Sequence, residues 1–420
     1  MLSFKNKKTK ALKKEFKTPI SPKAEPGSKA TKAVIKKTRP KRFAIRKFKI
    51  LSIRSGLDLP FLLLVLSLVT VGIVMMFSAS YPNAYYLHHG DSFFFIRNQA
   101  IFAAIGIAIM FLISKIDYEN FRWLALPLLI VSFVLLVAVL LMPPVNGVRR
   151  WITLGPIGFQ PSELTKFAIV VFFAHLITKN FDKMSKFRYG VIPFLVVLAP
   201  TLVLLALEPH ISCTVIVVLL GGLMLFVGGV KLRWFGSVFG LISMALGYIV
   251  IFTEKLTYAN NRIAGWLNPF NTPPGVDAWQ TRQSLYAIGS GGILGLGLGN
   301  SRQKYLYIPE PQNDFIFAVV CEELGFLGAA IILILFAMLI WRGVVIAIRS
   351  KDKFGSLLAI GLTMQVGLQT ILNIAVVTNT IPNTGISLPF FSYGGTSLLM
   401  LLAQMGIILS ISRSAKLEKS

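Results

Sequence analysis

Residues 289–325 read GSGGILGLGLGNSRQKYLYIPEPQNDFIFAVVCEELG, and this stretch organises the reading of the chain. It opens apolar but glycine-broken, turns basic at Ser301-Arg302-Gln303-Lys304, and then carries Pro309 and Pro311. Asp314 follows at the mouth of a long hydrophobic run. Proline suits the first helical turn and the chain just before it, so Asp314 is expected at or near a helix start. A helix start favours an ionised carboxylate, which predicts a low pKa for Asp314. An acid at the edge of a membrane helix is costly unless it has a partner or a task.

Working outward, 55% of the 420 residues are hydrophobic and the mean hydropathy is +0.70. Spans need about 20 apolar residues each. Ten are read, near 57–80, 93–114, 120–142, 161–178, 190–207, 211–229, 233–253, 313–342, 354–380 and 390–412. The expected fold is an all-α polytopic membrane protein of about ten transmembrane helices. A long extracellular loop, 254–312, joins helices seven and eight. The run Ser284–Gly299 within it is apolar but broken by glycine, which suggests a re-entrant or interfacial segment.

The net charge of +26 is concentrated at one end. Residues 1–54 hold 19 Lys and Arg against two acids, with few large apolar residues. They read as a disordered cytoplasmic tail lying on anionic membrane lipid. A nucleic-acid role lacks any accompanying fold, and the tail is too long and basic for a cleavable signal peptide. The membrane domain is expected over 55–413, with a short cytoplasmic tail over 414–420. Inner connections carry Lys115, Lys179, Lys183, Lys186, Arg188, Lys231, Arg233, Arg349, Lys351 and Lys353. Outer connections at 81–92, 208–210 and 381–389 carry no Lys or Arg. This asymmetry puts both termini in the cytoplasm.

Two outer loops break the charge rule and so carry the candidate chemistry. Loop 143–160 holds Arg149 and Arg150; loop 254–312 holds Lys255, Arg262, Arg282, Arg302 and Lys304. With Arg97 near the outer start of span two, Arg149, Arg150, Arg282 and Lys304 could form an outward-facing basic site suited to phosphate or pyrophosphate. Arg97 has a plainer reading too, snorkelling to headgroups. Glu163 and Lys166 stand three apart in the first turns of span four. They read either as a structural ion pair or as the lining of a polar cavity, with Lys166 facing an anion. Glu322 and Glu323 lie about 12–14 Å deeper than Asp314 along a helix and read as partners of buried cations. Cys213 and Cys321 are expected as buried free thiols, and the four histidines have no metal-ligand spacing. The glycines of 289–299 fit no nucleotide-loop pattern.

Ordered motifs then bring a family into view. Gly147-Val148-Arg149-Arg150-Trp151-Ile152 leads to Phe159-Gln160-Pro161-Ser162-Glu163 and Lys166. Asn268-Pro269-Phe270, Gln283-Ser284-Leu285, Pro309-Glu310, Asp314-Phe315-Ile316-Phe317 and Glu322-Glu323-Leu324-Gly325 follow. Leu388-Pro389-Phe390 and Ser392-Tyr393-Gly394-Gly395-Thr396-Ser397 close the set. Over residues 55–413 the chain resembles the SEDS proteins FtsW, RodA and SpoVE, and is nearest the division and sporulation branch. It departs from them at His210, where the family usually has Asp, and at Gln312-Asn313, where it has His-Thr. The acid that often follows Asn-Pro-Phe is replaced by Asn271-Thr272-Pro273.

The resemblance implies a peptidoglycan glycosyltransferase that polymerises lipid II at the outer face of the bacterial cytoplasmic membrane. The division septum is the implied location. The implied catalytic residue is Asp314. The implied substrate-binding residues are Arg97, Arg149, Arg150, Glu163, Lys166, Arg282, Gln283, Ser284, Lys304 and Glu310. It leaves room for a divalent cation at the pyrophosphate, with no dedicated metal site. Implied partners are lipid II, the growing glycan strand, a class B penicillin-binding protein and other divisome proteins. A lipid II flippase, or the same polymerase in elongation or sporulation, stands as the alternative.

Overall fold

The computed structural model describes residues 56–144, 148–154, 157–208, 210–237, 240, 263–273 and 278–415. The basic tail, most of 414–420 and most of the expected seventh span, 233–253, lie outside the described residues. Within them the chain forms helices α1 (Leu59–Leu87), α2 (Phe94–Lys115), α3 (Asn120–Leu140), α4 (Pro161–Asn180) and α5 (Ile192–Leu207). Then come α6 (Ile211–Val227), α7 (Trp279–Gly291), α8 (Ile316–Ile348), α9 (Lys353–Val377) and α10 (Gly395–Ser414). Eight described helical segments are long and apolar enough to cross a membrane, and α6 is a shorter apolar helix. This is a multi-pass membrane protein.

The helix starts follow local chemistry. Asp58 caps α1 by accepting from Phe61 N at 3.0 Å, and Asp352 caps α9 by accepting from Gly355 N at 3.2 Å. Proline stands in the first turn of α1, α4 and α5. The main packing pairs are α2 with α10, α8 with α9, α3 with α4, and α7 with α8.

Polar ties gather at two ends of the bundle. At one end Arg342 of α8 forms a bidentate pair with Asp58 at 2.8 Å. There too Arg413 donates to Ser114 O at 3.3 Å, and the Ser410 hydroxyl donates to Ile116 O. At the other end the starts of α2, α8 and α10 meet the end of α9. The first end holds the starts of α1 and the ends of α2 and α10, which matches the cytoplasmic face expected from charge.

One feature departs from all-helical architecture. Residues Ile152–Leu154 and Ile157–Phe159 form an antiparallel hairpin, β1 and β2, with Ile152 opposite Phe159. The hairpin folds the 143–160 loop back so that Arg150 precedes it and the start of α4 follows it. Thr396 at the start of α10 donates to Gly158 O at 2.9 Å and holds it in place.

The stretch quoted first builds the second feature. Helix α8 is broken at Gly325, whose φ is 65° and ψ −169°. Such a break strips backbone groups of their helical partners, and hydrocarbon offers no water to replace them. The turn after α7 supplies those partners. Leu296 N and Gly297 N donate to Glu322 O and Glu323 O at 2.9 and 3.0 Å. Phe326 N and Leu327 N donate to Gly292 O and Ile293 O at 2.9 and 3.1 Å. Only bare backbone allows this approach: a Cβ at Gly295 would lie 2.2 Å from Glu323 O, and one at Gly325 2.3 Å from Gly295 N. The glycine-broken run is therefore a segment that turns in against α8 and completes its hydrogen bonds.

Candidate active site

Asp314 lies two residues before α8, and its side chain is half-buried. The approach is stiffened by Pro309 and Pro311. Between them Glu310 takes a left-handed conformation, φ 47°, and its Oε2 accepts from Asn313 Nδ2 at 2.7 Å. Ser392 Oγ donates to Asn313 O and Tyr393 N donates to Gln312 O, both at 2.8 Å. Gln99 of α2 in turn brackets that loop, donating to Ser392 O and accepting from Gly394 N. The Gln312-Asn313 pair that departs from the family pattern thus serves to fix the loop. Asn83 of α1 also donates to Gln312 Oε1 at 3.3 Å.

The sequence suggested that the helix start would hold Asp314 low. Burial instead pushes its pKa up to about 6; repulsion from Glu310 adds to this, and Arg150 pulls it back. The helix effect is worth about 0.3–1 kcal/mol, less than one pKa unit, whereas burial moves carboxylates by several. Burial wins, and the result is a carboxylate that is ionised at neutral pH yet basic enough to accept a proton.

Arg150 is the hub of the cationic side. Its Nε donates to Glu208 O at 3.3 Å, and its charge acts on Asp314, Glu208 and His210. Lys166 pairs with Glu163 at 2.8 Å, is almost fully buried, and also acts on His210. Arg150 and Lys166 thus both act on His210. Glu208 is completely buried, and burial pushes it up to about 8 against the pull of Arg150, so it is neutral at pH 7. Burial, then Arg150 and Lys166, push His210 down to about 3, so it is neutral as well. Ser162 Oγ, both Glu208 carboxyl oxygens, His210 Nδ1 and Thr384 Oγ1 are buried polar atoms without a protein hydrogen-bond partner. Such atoms are rare in native folds, and an ordered water, an ion or a polar ligand can satisfy them.

The remaining sequence candidates do not join this group. Arg97 pairs with Asp91 at 2.8 Å on an exposed surface, a local contact at the start of α2. Arg149 is exposed and donates to Leu140 O, capping the end of α3. Arg282 donates to Pro269 O at 3.0 Å, and Ser284 to Val377 O at 2.8 Å; both are loop anchors. Gln283 is buried on the same helix. Glu310 faces Asp314 and shapes its acidity.

Lys304 departs furthest from the substrate-facing place the sequence suggested. Its ammonium bonds Glu323 Oε1 at 2.8 Å, Gly299 O at 2.7 Å and Ser78 Oγ at 3.1 Å, with 3% of the side chain exposed. Every donor is used inside the fold, so none is left for a phosphate. Glu323 is thus the partner of a buried cation, as its depth suggested. Glu322 is not: it accepts from Ser301 Oγ at 2.5 Å, Arg302 N at 2.9 Å and Gln303 N at 3.3 Å, tying down the basic turn through its backbone.

Sequence reasoning missed Gln280 and Asn373. Gln280 donates to Pro309 O at 3.4 Å and accepts from Asn383 at 3.3 Å, joining α7 to the Asp314 approach. An amide inside the apolar run of α9 was the available signal for Asn373. Cys213 and Cys321 are free and buried.

The chain matches the cell cycle protein family of FtsW, RodA and SpoVE over residues 59–417. It belongs to that family. Stage V sporulation protein E of Bacillus subtilis is a 41% identical relative over 363 residues, covering 86% of this chain and 98% of that protein. The probable peptidoglycan glycosyltransferase FtsW of Trichlorobacter lovleyi is 40% identical over 363 residues, covering 86% and 94%. Among solved structures, this FtsW/RodA/SpoVE member resembles a chain of a peptidoglycan synthase complex that coordinates polymerisation and crosslinking. The TM-score is 0.70 at 26% identity, over 86% of this chain and 99% of that one. The rod shape determining protein RodA of Thermus thermophilus matches with a TM-score of 0.63 at 26% identity, over the same shares.

Proposed function

We propose that this chain is a peptidoglycan glycosyltransferase that polymerises lipid II on the outer face of the bacterial cytoplasmic membrane. Asp314 takes the proton of the GlcNAc 4-hydroxyl as that oxygen attacks C1 of the MurNAc on another chain. The bond from C1 to the pyrophosphate breaks, undecaprenyl pyrophosphate leaves with the electron pair, and the anomeric centre inverts. Arg150 and Lys166 stabilise the charge developing on the leaving group. Any divalent cation would enter with the pyrophosphate. The observation that carries this reading is the half-buried Asp314 carboxylate, raised to about 6 by burial and within the field of the Arg150 cation. The relatives named as glycosyltransferases support it. Septal wall synthesis, beside a class B penicillin-binding transpeptidase and other divisome proteins, is the setting in which we place it.

The test is polymerisation of lipid II by purified protein in detergent, where sidedness is lost and a flippase makes no product. Asp314→Asn keeps the shape and removes the base, so the rate is expected to fall about 10²–10⁴-fold in a normally inserted protein. Polymerisation at the unmodified rate would remove Asp314 from the chemistry.

A further inference from the structure

We propose that Asn373 is a positioning residue for this reaction, holding Asp314 against the bare backbone of Gly385. The proposal rests on Asp314 being the base. Asn373 lies in α9 within Ile371-Leu372-Asn373-Ile374 and is fully buried. Its Nδ2 donates to Asp314 O at 2.7 Å and to Ile386 O at 2.6 Å. Two carbonyl acceptors fix the orientation of the amide, since only the nitrogen can serve both. A single side chain thereby ties the loop that enters α8 to the loop 378–394, at the residue whose carboxylate does the chemistry.

Gly385 supplies the opposing surface. Its φ is +72°, and a Cβ there would stand 3.0 Å from Asp314 Oδ2 and 3.9 Å from Ser212 Oγ. The Ser212 hydroxyl of α6 donates to Thr384 O, and Gly385 N donates to Asn383 Oδ1 at 3.1 Å, so the turn is held from both sides. Among the described residues no donor bonds the Asp314 carboxylate itself; the anchoring acts through its main chain. The lone pairs stay available to an acceptor hydroxyl. The charged groups that the carboxylate feels are Glu310 on its own loop and Arg150 from the hairpin loop. A reacting group misplaced by about 1 Å can cost about 10²-fold in rate, which sets the expected effect of releasing this anchor.

The experiment measures initial polymerisation rates of the purified full-length protein against lipid II concentration and against pH. Asn373→Ala is expected to lower kcat by about 10²-fold with KM nearly unchanged. It should also move the acidic limb of the pH profile below about 6, because a loosened loop admits water to the carboxylate. Gly385→Ala leaves α9 intact and is expected to lower kcat at constant KM; it decides the matter if Asn373→Ala does not insert. A kcat loss in Asn373→Ala with an unmoved acidic limb would mean a merely structural role and overturn the proposal. So would an effect on KM alone, or unchanged rates in both variants. An unmodified protein that makes no glycan would overturn the polymerase reading along with it; an active unmodified protein with unaffected variants overturns only the anchoring.

Discussion

Lys304→Ala separates two accounts of the basic turn. The structure makes Lys304 the counter-ion of Glu323, which is wholly buried, and bonds the same carboxylate to Ser78 Oγ at 2.7 and 2.8 Å. Removing the ammonium strands that carboxylate. Breaking a buried pair from one side costs about 3–5 kcal/mol. A second route gives a similar figure: protonating an ordinary glutamate, pKa about 4.3, at pH 7 costs about 3.7 kcal/mol. Loss of the bond to Gly299 O adds about 1 kcal/mol. The total approaches the whole stability of many domains, so Lys304→Ala should insert poorly and melt well below the unmodified protein in detergent. Lys304→Met combined with Glu323→Gln removes both charges and should recover most of the loss. The assay is thermal unfolding of the three proteins, paired with the lipid II KM of whatever remains folded. Unchanged melting in Lys304→Ala together with a raised KM would refute the structural account and return Lys304 to the substrate site.

Four further measurements bear on the structure. Polymerase activity should fall about tenfold per pH unit below about 6, because Asp314 must be ionised to act and protonation removes it. Glu310→Gln should shift that limb to lower pH and Arg150→Gln to higher pH, since one group raises the Asp314 pKa and the other lowers it; shifts of the same sign would refute the arrangement. Gly325→Ala should prevent normal folding, with its Cβ 2.3 Å from Gly295 N at a φ of 65°, whereas Gly289→Ala meets nothing within 4 Å and should be silent in expression and melting. Asn271→Cys should react with an impermeant thiol reagent in spheroplasts and Lys183→Cys should not, against a low background from the buried Cys213 and Cys321; reversed labelling would invert the topology.

What the sequence made legible is what depends on neighbours along the chain. Spans follow from hydropathy, and the inward-turning segment from apolar residues interrupted by glycine at 289–299. Proline spacing put Asp314 at a helix mouth, and the helix does begin two residues later. The errors have a common physical source. The sequence puts Lys304 among the substrate-facing cations because Glu323, its partner, is 19 residues away across a turn that only the folded backbone closes. Arg97 and Arg149 were pooled with Arg150 because all three are outer-side cations, yet local contacts with Asp91 and Leu140 O hold the first two aside. The β hairpin escaped notice because two three-residue strands carry too little alternation to register as a pattern. The Asp314 pKa was misjudged because burial is a tertiary quantity, invisible in the run that contains the residue.

The two sets of charge differ in the neutral polar groups that surround them. Around Lys304 the fold supplies every counter-charge and acceptor, so the group is closed and its contribution is to hold the turned-in segment on α8. Around Arg150 and Lys166 the fold supplies Glu163, which pairs with Lys166 at 2.8 Å, and Glu208 O, which accepts from Arg150 Nε at 3.3 Å. Glu208 and His210 lie within their field but are kept neutral by burial, and polar atoms of Ser162 and Thr384 are left without partners. On the proposed reading the pyrophosphate of the donor binds beside Arg150, and its arrival has a consequence for the base. Arg150 is the group that holds the Asp314 pKa down. A pyrophosphate that neutralises Arg150 removes that restraint, while its own negative charge also favours the protonated carboxyl. Both effects raise the basicity of Asp314, so the base is strongest when the donor is in place and weaker when the site is empty. Coupling of this kind ties proton removal from the acceptor to the presence of a leaving group, with no moving part beyond the charges already there.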